Sequence, residues 1–357
     1  MGDLFKLDLK DAESIKRRGM PEDRYEPHVS IIVPVKNSAR TIGDLLDSLM
    51  KLDYDREKLE IIVVDGHSTD GTREIVERYP VRLILEEGRG LNAARNTGVR
   101  YSRGEIIAFT DGDCVVPSNW VRAMVENFRD PSVGFVGGLV EGYHKDSFLS
   151  IYMDETFFHA VPSFTNRYET TDLRILRFPA GCNMAFRRHA LEKIDLFDER
   201  IYYGFDDLQP VEDLSLRGFR IVLDPRVLIW HKHRTTLWGL LKQHFNYGRG
   251  GALMLIYKRA SRLARWLSAY LFSTTILFSL SIFLITLGLT LMPRLLKLLI
   301  ASAALIYMLH TALYARTAIR SKRLRKMFLY PILDVLRGLA FTLGGLFQLG
   351  RSLLGRG

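Results

Sequence analysis

Four short runs, VSIIVPV (29–35), EIIVVD (60–65), VRLILE (81–86) and EIIAFTD (105–111), constrain this chain more than any other feature. Each is nearly continuous in Val, Ile and Leu rather than alternating, the pattern of a strand buried on both faces. Helix-like stretches, including TIGDLLDSLMKL and NAARNTGVRYS, stand between them. Such a series predicts an α/β fold, a Rossmann-like open sheet with helices on both faces. In these sheets ligands gather at the carboxyl ends of the strands, and Asp65 and Asp111 fall at two of those ends. From about 130 to 235 the pattern turns to mixed strand and loop, with Tyr143 to Arg177 expected to form a mobile lid.

The far end of the chain has a different character. From Leu267 to Met292 there are 26 residues without a charge. A helix of that length, at about 1.5 Å per residue, exceeds a hydrocarbon core of roughly 30 Å. Leu298 to Ala315 is a second expected span, with His310 as its one titratable group that ionises near neutrality. Met327 to Leu349 is a third candidate, interrupted by Asp334 and Arg337, whose spacing lets them neutralise each other on one helical face.

Charge follows the same division. From Lys258 onward there are 15 Lys and Arg against one acid, Asp334, so the net +10 of the chain resides in the tail, and residues 1–257 carry 35 bases against 39 acids. Positive charge flanking apolar spans fits anionic lipid rather than nucleic acid, so no nucleic-acid partner is expected. Basic residues before the first span (Lys258, Arg259, Arg262, Arg265) and after the second (Arg316 to Lys326) predict a multi-pass protein of the cell membrane whose α/β domain faces the cytoplasm. Cys114 and Cys182 stand in unrelated contexts, with no metal-binding spacing, which fits a reducing cytosol. Residues 1–27 are charged throughout and lack the apolar segment of a secretory signal, so they are expected to be an amphipathic lead-in.

The chemistry begins at Asp111-Gly112-Asp113, directly after an apolar strand. Two carboxylates at a strand end, parted by a glycine that admits a diphosphate, suit a divalent metal, Mn²⁺ or Mg²⁺, bridging carboxylate and phosphates. Asp65, followed by GHSTDGT, suits a base or ribose contact, with Asp70 or Thr69 capping the next helix. No GxGxxG or Walker A sequence follows the first strand, where PVKNSART stands, so neither a dehydrogenase nor a P-loop nucleotidase is expected. A transferase with a nucleoside diphosphate leaving group fits better. His231 and His233, after the β-rich run VLIW, are each able to complete a metal sphere or touch the departing diphosphate, His231 first.

VSIIVPVKNSARTI, IIVVDGHSTDGT, GRGLNAARNTGV and GEIIAFTDGDCVVP resemble, in this order and spacing, the N-terminal half of family 2 inverting glycosyltransferases of the GT-A fold. FPAGCNMAFRRHAL, GFDDL and GFRIVLDPRVLIWHKHR resemble its second half, so the resemblance covers about 28–235. It implies a nucleotide-sugar site formed by Pro34, Val35, Asp65, Arg95, Asp111, Gly181 and Asn183, with Asp113 as direct metal ligand beside Asp111 and His231. The family usually carries its catalytic base in a Glu-Asp pair. Here Asp206-Asp207 stands at the matching distance, with Asp207 as the candidate base and Glu212-Asp213 as a competing pair. Gln243 to Arg249 resembles only loosely the QxxRW motif of processive polysaccharide synthases and lacks its Arg-Trp pair, so one sugar per encounter is expected. Acceptor phosphate binding by Gln243 and Arg249 is the lesser reading of that segment, beside simple anchoring.

These readings divide the chain into a lead-in (1–27), a GT-A catalytic domain (28–235), an interfacial amphipathic segment (236–265) and a membrane domain of two to three spans (266–357). The function expected is metal-dependent transfer from a UDP- or GDP-sugar to a lipid-linked acceptor, a polyprenyl phosphate or a lipid-linked saccharide. The alternative is a non-catalytic membrane scaffold that binds nucleotide-sugars, against which the intact acidic set counts. A transporter ranks last, because two or three spans build no pathway without oligomerisation.

Overall fold

The computed structural model describes residues 25–144, 146–156, 164–172, 180–262 and 293–354, with a few positions between 264 and 287. The chain begins with β1 (Val29–Val35), α1 (Ile42–Leu49), β2 (Leu59–Asp65), α2 (Thr72–Val76), β3 (Arg82–Leu85), α3 (Leu91–Tyr101) and β4 (Ile106–Phe109). The four expected strands and the intervening helices are therefore present, β1 with the expected bounds and the others with ends shifted by at most three residues. A two-residue strand, β5 (Cys114–Val115), leads to α4 (Trp120–Val125), β6 (Val133–Gly142), α5 (Phe148–Glu155) and β7 (Tyr168–Thr170). Then come β8 (Met184–Arg187), α6 (Arg188–Glu192), α7 (Leu208–Leu216) and β9 (Arg220–His231).

The strands form one sheet in the order β3-β2-β1-β4-β8-β6-β9-β5, with β7 also on β9. The first four run parallel, as their continuous apolar character predicts. Beyond them the sheet is mixed: β8 is antiparallel to β4 and β6, β6 is parallel to β9, and β5 is antiparallel to β9. Successive β1 side chains point to opposite faces, and each face has its own core. Ile31 and Val33 pack with Leu45, Leu46, Trp120 and Met124 on one side. Ile32 packs with Val99, Phe109, Phe135 and Phe186 on the other.

Three long helices follow: α8 (Leu237–Tyr257), α9 (Pro293–Arg320) and α10 (Arg325–Leu353). Thr236 caps α8, its hydroxyl accepting the Gly239 N–H at 3.2 Å. Helix α10 is long and apolar enough to cross a membrane. Its distribution of side chains is inverted relative to a water-soluble helix. The buried stripe holds Lys326, Arg337 and Gln348 beside Tyr330 and Phe341, whereas Phe328, Leu343, Leu346 and Phe347 are exposed. The second expected span lies within α9, and the first, 267–292, lies largely outside the described residues.

Helices α8 and α10 cross with backbone against backbone. Gly248 meets the Phe341 carbonyl, and Gly344 meets that of Phe245, so any side chain at either position collides with main chain. Asp334 joins α10 to the catalytic domain. Its carboxylate accepts from the Tyr152 hydroxyl at 2.6 Å, the Thr156 hydroxyl at 2.8 Å and the Tyr314 hydroxyl, with His310 Nε2 at 3.1 Å. The expected Asp334–Arg337 pair is present at 3.6 Å.

Candidate active site

Three strand ends converge at the carboxyl edge of the parallel strands. Val35 stands opposite Asp65 in the β1–β2 register, and Thr110 and Asp111 follow β4 directly. The sequence then turns at Gly112, packed against Val35 and Ser38, and re-enters the sheet as β5. Because β5 pairs antiparallel with the end of β9, Cys114 faces His231. Lys232 N–H donates to the Asp113 carbonyl at 2.9 Å and fixes that register. His231 Nε2 thereby stands 3.2 Å from Asp113 Oδ1, with the two side chains 13% and 18% exposed, so the pair opens on solvent. Cys114 Sγ completes a group whose donor atoms lie within 4.8 Å of one another. At the mouth, Arg234 Nη2 is 3.7 Å from Asp113 Oδ2.

Electrostatics separates the two aspartates of the triplet. Burial pushes Asp111 up to about 6, with Arg95 opposing and Asp113 adding to the rise. Burial also works upward on Asp113, but His231 and Arg234 outweigh it and hold the carboxyl at about 2. Burial works downward on His231, and Asp113 overcomes it, lifting the imidazole to about 9.

The second acidic pair of the site hangs on the loop before α7. Arg95, buried on α3, bonds Asp206 and Asn92 and lies beside Asp111 and Asp207 as well. Arg95 therefore gathers the carboxylates and, at 1% exposure, does not present itself to a base or diphosphate as expected. Asp206 is engaged by that guanidinium, whereas Asp207 is partly exposed beside it. Gly181 N–H donates to Asp207 Oδ2 at 2.7 Å. A Cβ at Gly181 would crowd both Asp207 and Arg95, which is why glycine stands there. Burial, reinforced by Asp206 and opposed by Arg95, pushes Asp207 up to about 7.

Several expected residues have other tasks. Asn183 spends both amide hydrogens on the Leu139 and Val227 carbonyls, at 2.7 and 2.9 Å, and its oxygen accepts from the Trp120 indole at 2.9 Å. It ties β6, β8 and β9 together and has no N–H left for a ligand. Gln243 donates to the Tyr247 hydroxyl at 2.9 Å, and Arg249 is held by Gln348 and stacked on Tyr203 at 3.5 Å, so neither projects freely toward an acceptor. Glu212 accepts the Arg262 N–H at 2.9 Å and bonds Ser261, while Asp213 approaches Lys258 at 3.5 Å. That pair holds the segment following α8 instead of serving as base. Asp70, not Thr69, receives the first N–H of α2, accepting Thr72 N–H at 3.1 Å and Ala39 N–H at 3.0 Å, while Gly71 stands at the N-cap itself.

Asp65 is fully buried, accepts Ser68 N–H at 2.9 Å through Oδ2, and leaves Oδ1 without a partner. Thr110 Oγ1 and Glu86 Oε1 are likewise buried and unpaired. Sequence reasoning passed over Glu86, Arg234 and Cys114. Arg234 was available as the cation beside His233, and Glu86 as the acid directly after β3. The cysteines are not in unrelated places: Cys182 is pushed well above the usual thiol range by its hydrogen bond to Cys114 and by burial, and both thiols are free.

Comparison with known proteins gives the family. Residues 30–195 match the domain described as glycosyl transferase family 2. Glycosyltransferase AglE of Haloferax volcanii is 30% identical over 252 residues, covering 68% of this chain and 80% of that protein. Poly-beta-1,6-N-acetyl-D-glucosamine synthase of Staphylococcus aureus is 27% identical over 64% of this chain, which spans 55% of that protein's length. Among solved structures, the mannosyltransferase PcManGT from Pyrobaculum calidifontis, in complex with GDP-Man and Mn²⁺, superposes with a TM-score of 0.61 at 23% identity, covering 93% of this chain and 94% of that one. S. aureus TarS 1-349 with UDP-GlcNAc gives 0.51 at 17% identity, covering 92% of each. The chain belongs to glycosyl transferase family 2 and is a glycosyltransferase of GT-A architecture.

Proposed function

We propose that this glycosyltransferase moves a sugar, with inversion, from a UDP- or GDP-sugar to a lipid-linked acceptor at the cytoplasmic face of a membrane, using Mn²⁺ or Mg²⁺. The observation that carries the reading is the meeting of Asp113 and His231 at 3.2 Å beside Asp111, on the edge where strand ends converge. A carboxylate and an imidazole suit a divalent ion. When bound, it would neutralise the diphosphate leaving group, with Arg234 at the mouth adding a second positive charge. The unpaired Asp65 Oδ1 suits a ribose or base donor. Pro34 and Val35 wall the base side, and Asp207 takes the proton from an acceptor hydroxyl as that oxygen attacks the anomeric carbon.

The inside-out character of α10, together with the exposed Ile300, Met308 and Leu309 of α9, supports lipid around these helices; a multi-pass domain that includes 267–292 is read from the uncharged sequence there. GDP-Man and UDP-GlcNAc in the similar structures support the donor class. A donor screen that measures UDP and GDP release by the detergent-solubilised protein tests the proposal, with Asp113→Ala as control. Equal release by that control would refute the metal site. The acceptor class is read from Asp207→Asn: transfer to a hydroxyl collapses, whereas transfer to an already anionic phosphate is nearly kept.

A further inference from the structure

Behind His231 runs a chain of hydrogen bonds that the reaction as described does not use. His231 Nδ1 lies 3.0 Å from His233 Nδ1, and His233 Nε2 lies 3.0 Å from Asp154 Oδ1 on α5. That carboxylate oxygen also accepts the Gly142 N–H at 2.8 Å, so it faces donors on both sides. We propose that Asp154 is a positioning residue of the metal site, which acts through His233 to set the tautomer and ring orientation of His231; the inference rests on the metal reading above.

The argument is one of donors and acceptors. An acceptor at Asp154 places the His233 hydrogen on Nε2, and the neutral ring then offers a lone pair at Nδ1. That lone pair takes the hydrogen from His231 Nδ1. When a metal takes the place of the proton that Asp113 otherwise holds on His231, the lone pair it meets is on Nε2, the atom that faces Asp113 Oδ1 at 3.2 Å. A nitrogen and a carboxylate oxygen that both offer lone pairs to one point are the donors a cation requires, and an outer carboxylate that fixes a ligating imidazole is a recurrent element of metal sites. With a hydrogen on His231 Nε2 instead, the donor is lost.

Helix α5 is itself anchored on both sides of Asp154. Tyr152 and Thr156 donate to Asp334, and Glu155 accepts from Lys326 at 2.7 Å and from the Tyr330 hydroxyl at 2.7 Å. The position of Asp154 is thus held by α10, not by the surface loops that flank α5.

The test is Mn²⁺ affinity of the full-length, detergent-solubilised protein, measured from free Mn²⁺ by electron paramagnetic resonance with UDP or GDP present. Thermal melting without metal is recorded in parallel. Asp154→Ala is expected to weaken Mn²⁺ binding by about 10- to 100-fold. Asp154→Asn, whose amide oxygen still accepts from His233 and Gly142, stays within about 3-fold of wild type. His233→Phe, which keeps the ring and removes both nitrogens, reproduces the Asp154→Ala loss and serves if that variant does not fold. Wild-type affinity in Asp154→Ala or His233→Phe overturns the inference. A loss as large in Asp154→Asn as in Asp154→Ala also overturns it, because charge rather than tautomer would then be at work. Absence of Mn²⁺ binding by the wild type removes the metal reading itself, a result distinct from either.

Discussion

At the scale of the residue, the site is a contest between burial and neighbouring charge, and the outcome differs for each acid. Asp113 is held at about 2 and Asp207 raised to about 7, so at neutral pH one is a committed anion and the other titrates. For transfer to a hydroxyl acceptor, kcat/KM is expected to rise with pH through about 7 as Asp207 loses its proton. Asp207→Asn should lower the plateau by about 100-fold or more and flatten this limb, as a pH profile would show. Stability has the opposite sign. The folded form holds this proton more tightly than the unfolded form, so the contribution of Asp207 is full below the ordinary carboxylate range and lost as pH rises through about 7. Melting temperatures of Asp207→Asn should therefore fall less between pH 5 and 8 than those of wild type. The neighbouring arginine has a different part: Arg95→Ala is expected to unfold or disperse the Asp206–Asp207 loop, since it leaves Asp206 buried without its charge partner.

At the scale of the element, α8 carries the greatest structural constraint. One side meets α10 at Gly248 and Phe341, and another meets the loop before Asp206, where Gly250 lies against the Gly204 backbone. A side chain at the α8–α10 crossing must push the helices apart. Gly344→Leu is expected to destabilise the protein by about 2 kcal/mol or more, measured by thermal melting in detergent. Asp334→Leu removes the acceptor of three hydroxyl donors and leaves Arg337 buried without its anion, an expected loss of about 3–5 kcal/mol. Its readout is early proteolysis at the α5–α10 contact, and a protease pattern like that of wild type would sink this assignment. Register is equally decisive in β5, whose two residues bring Asp113 to His231.

At the scale of the whole molecule, exposed apolar side chains on α9 and α10 follow a glycosyltransferase domain and a basic segment. The full chain is expected to float with vesicles and to resist extraction at high salt. Protease added from the cytoplasmic side should cut within the catalytic domain, and protection there would reverse the proposed orientation. Much of this was determined by sequence alone. Apolar continuity specified the parallel strands β1 to β4, and strand-end position marked Asp65 and the Asp111-Gly112-Asp113 triplet, because both are local patterns with a period or an adjacency. Composition likewise marked the apolar, basic tail. The rest depended on pairings between distant segments. Only the β5–β9 register put His231 on Asp113, only the packing of α3 turned Arg95 inward to Asp206, and only the meeting of β6, β8 and β9 consumed the amide of Asn183. A hydrogen bond or ion pair between positions 44 or 111 residues apart leaves no periodicity in the chain, so these roles existed only once the sheet had closed around them.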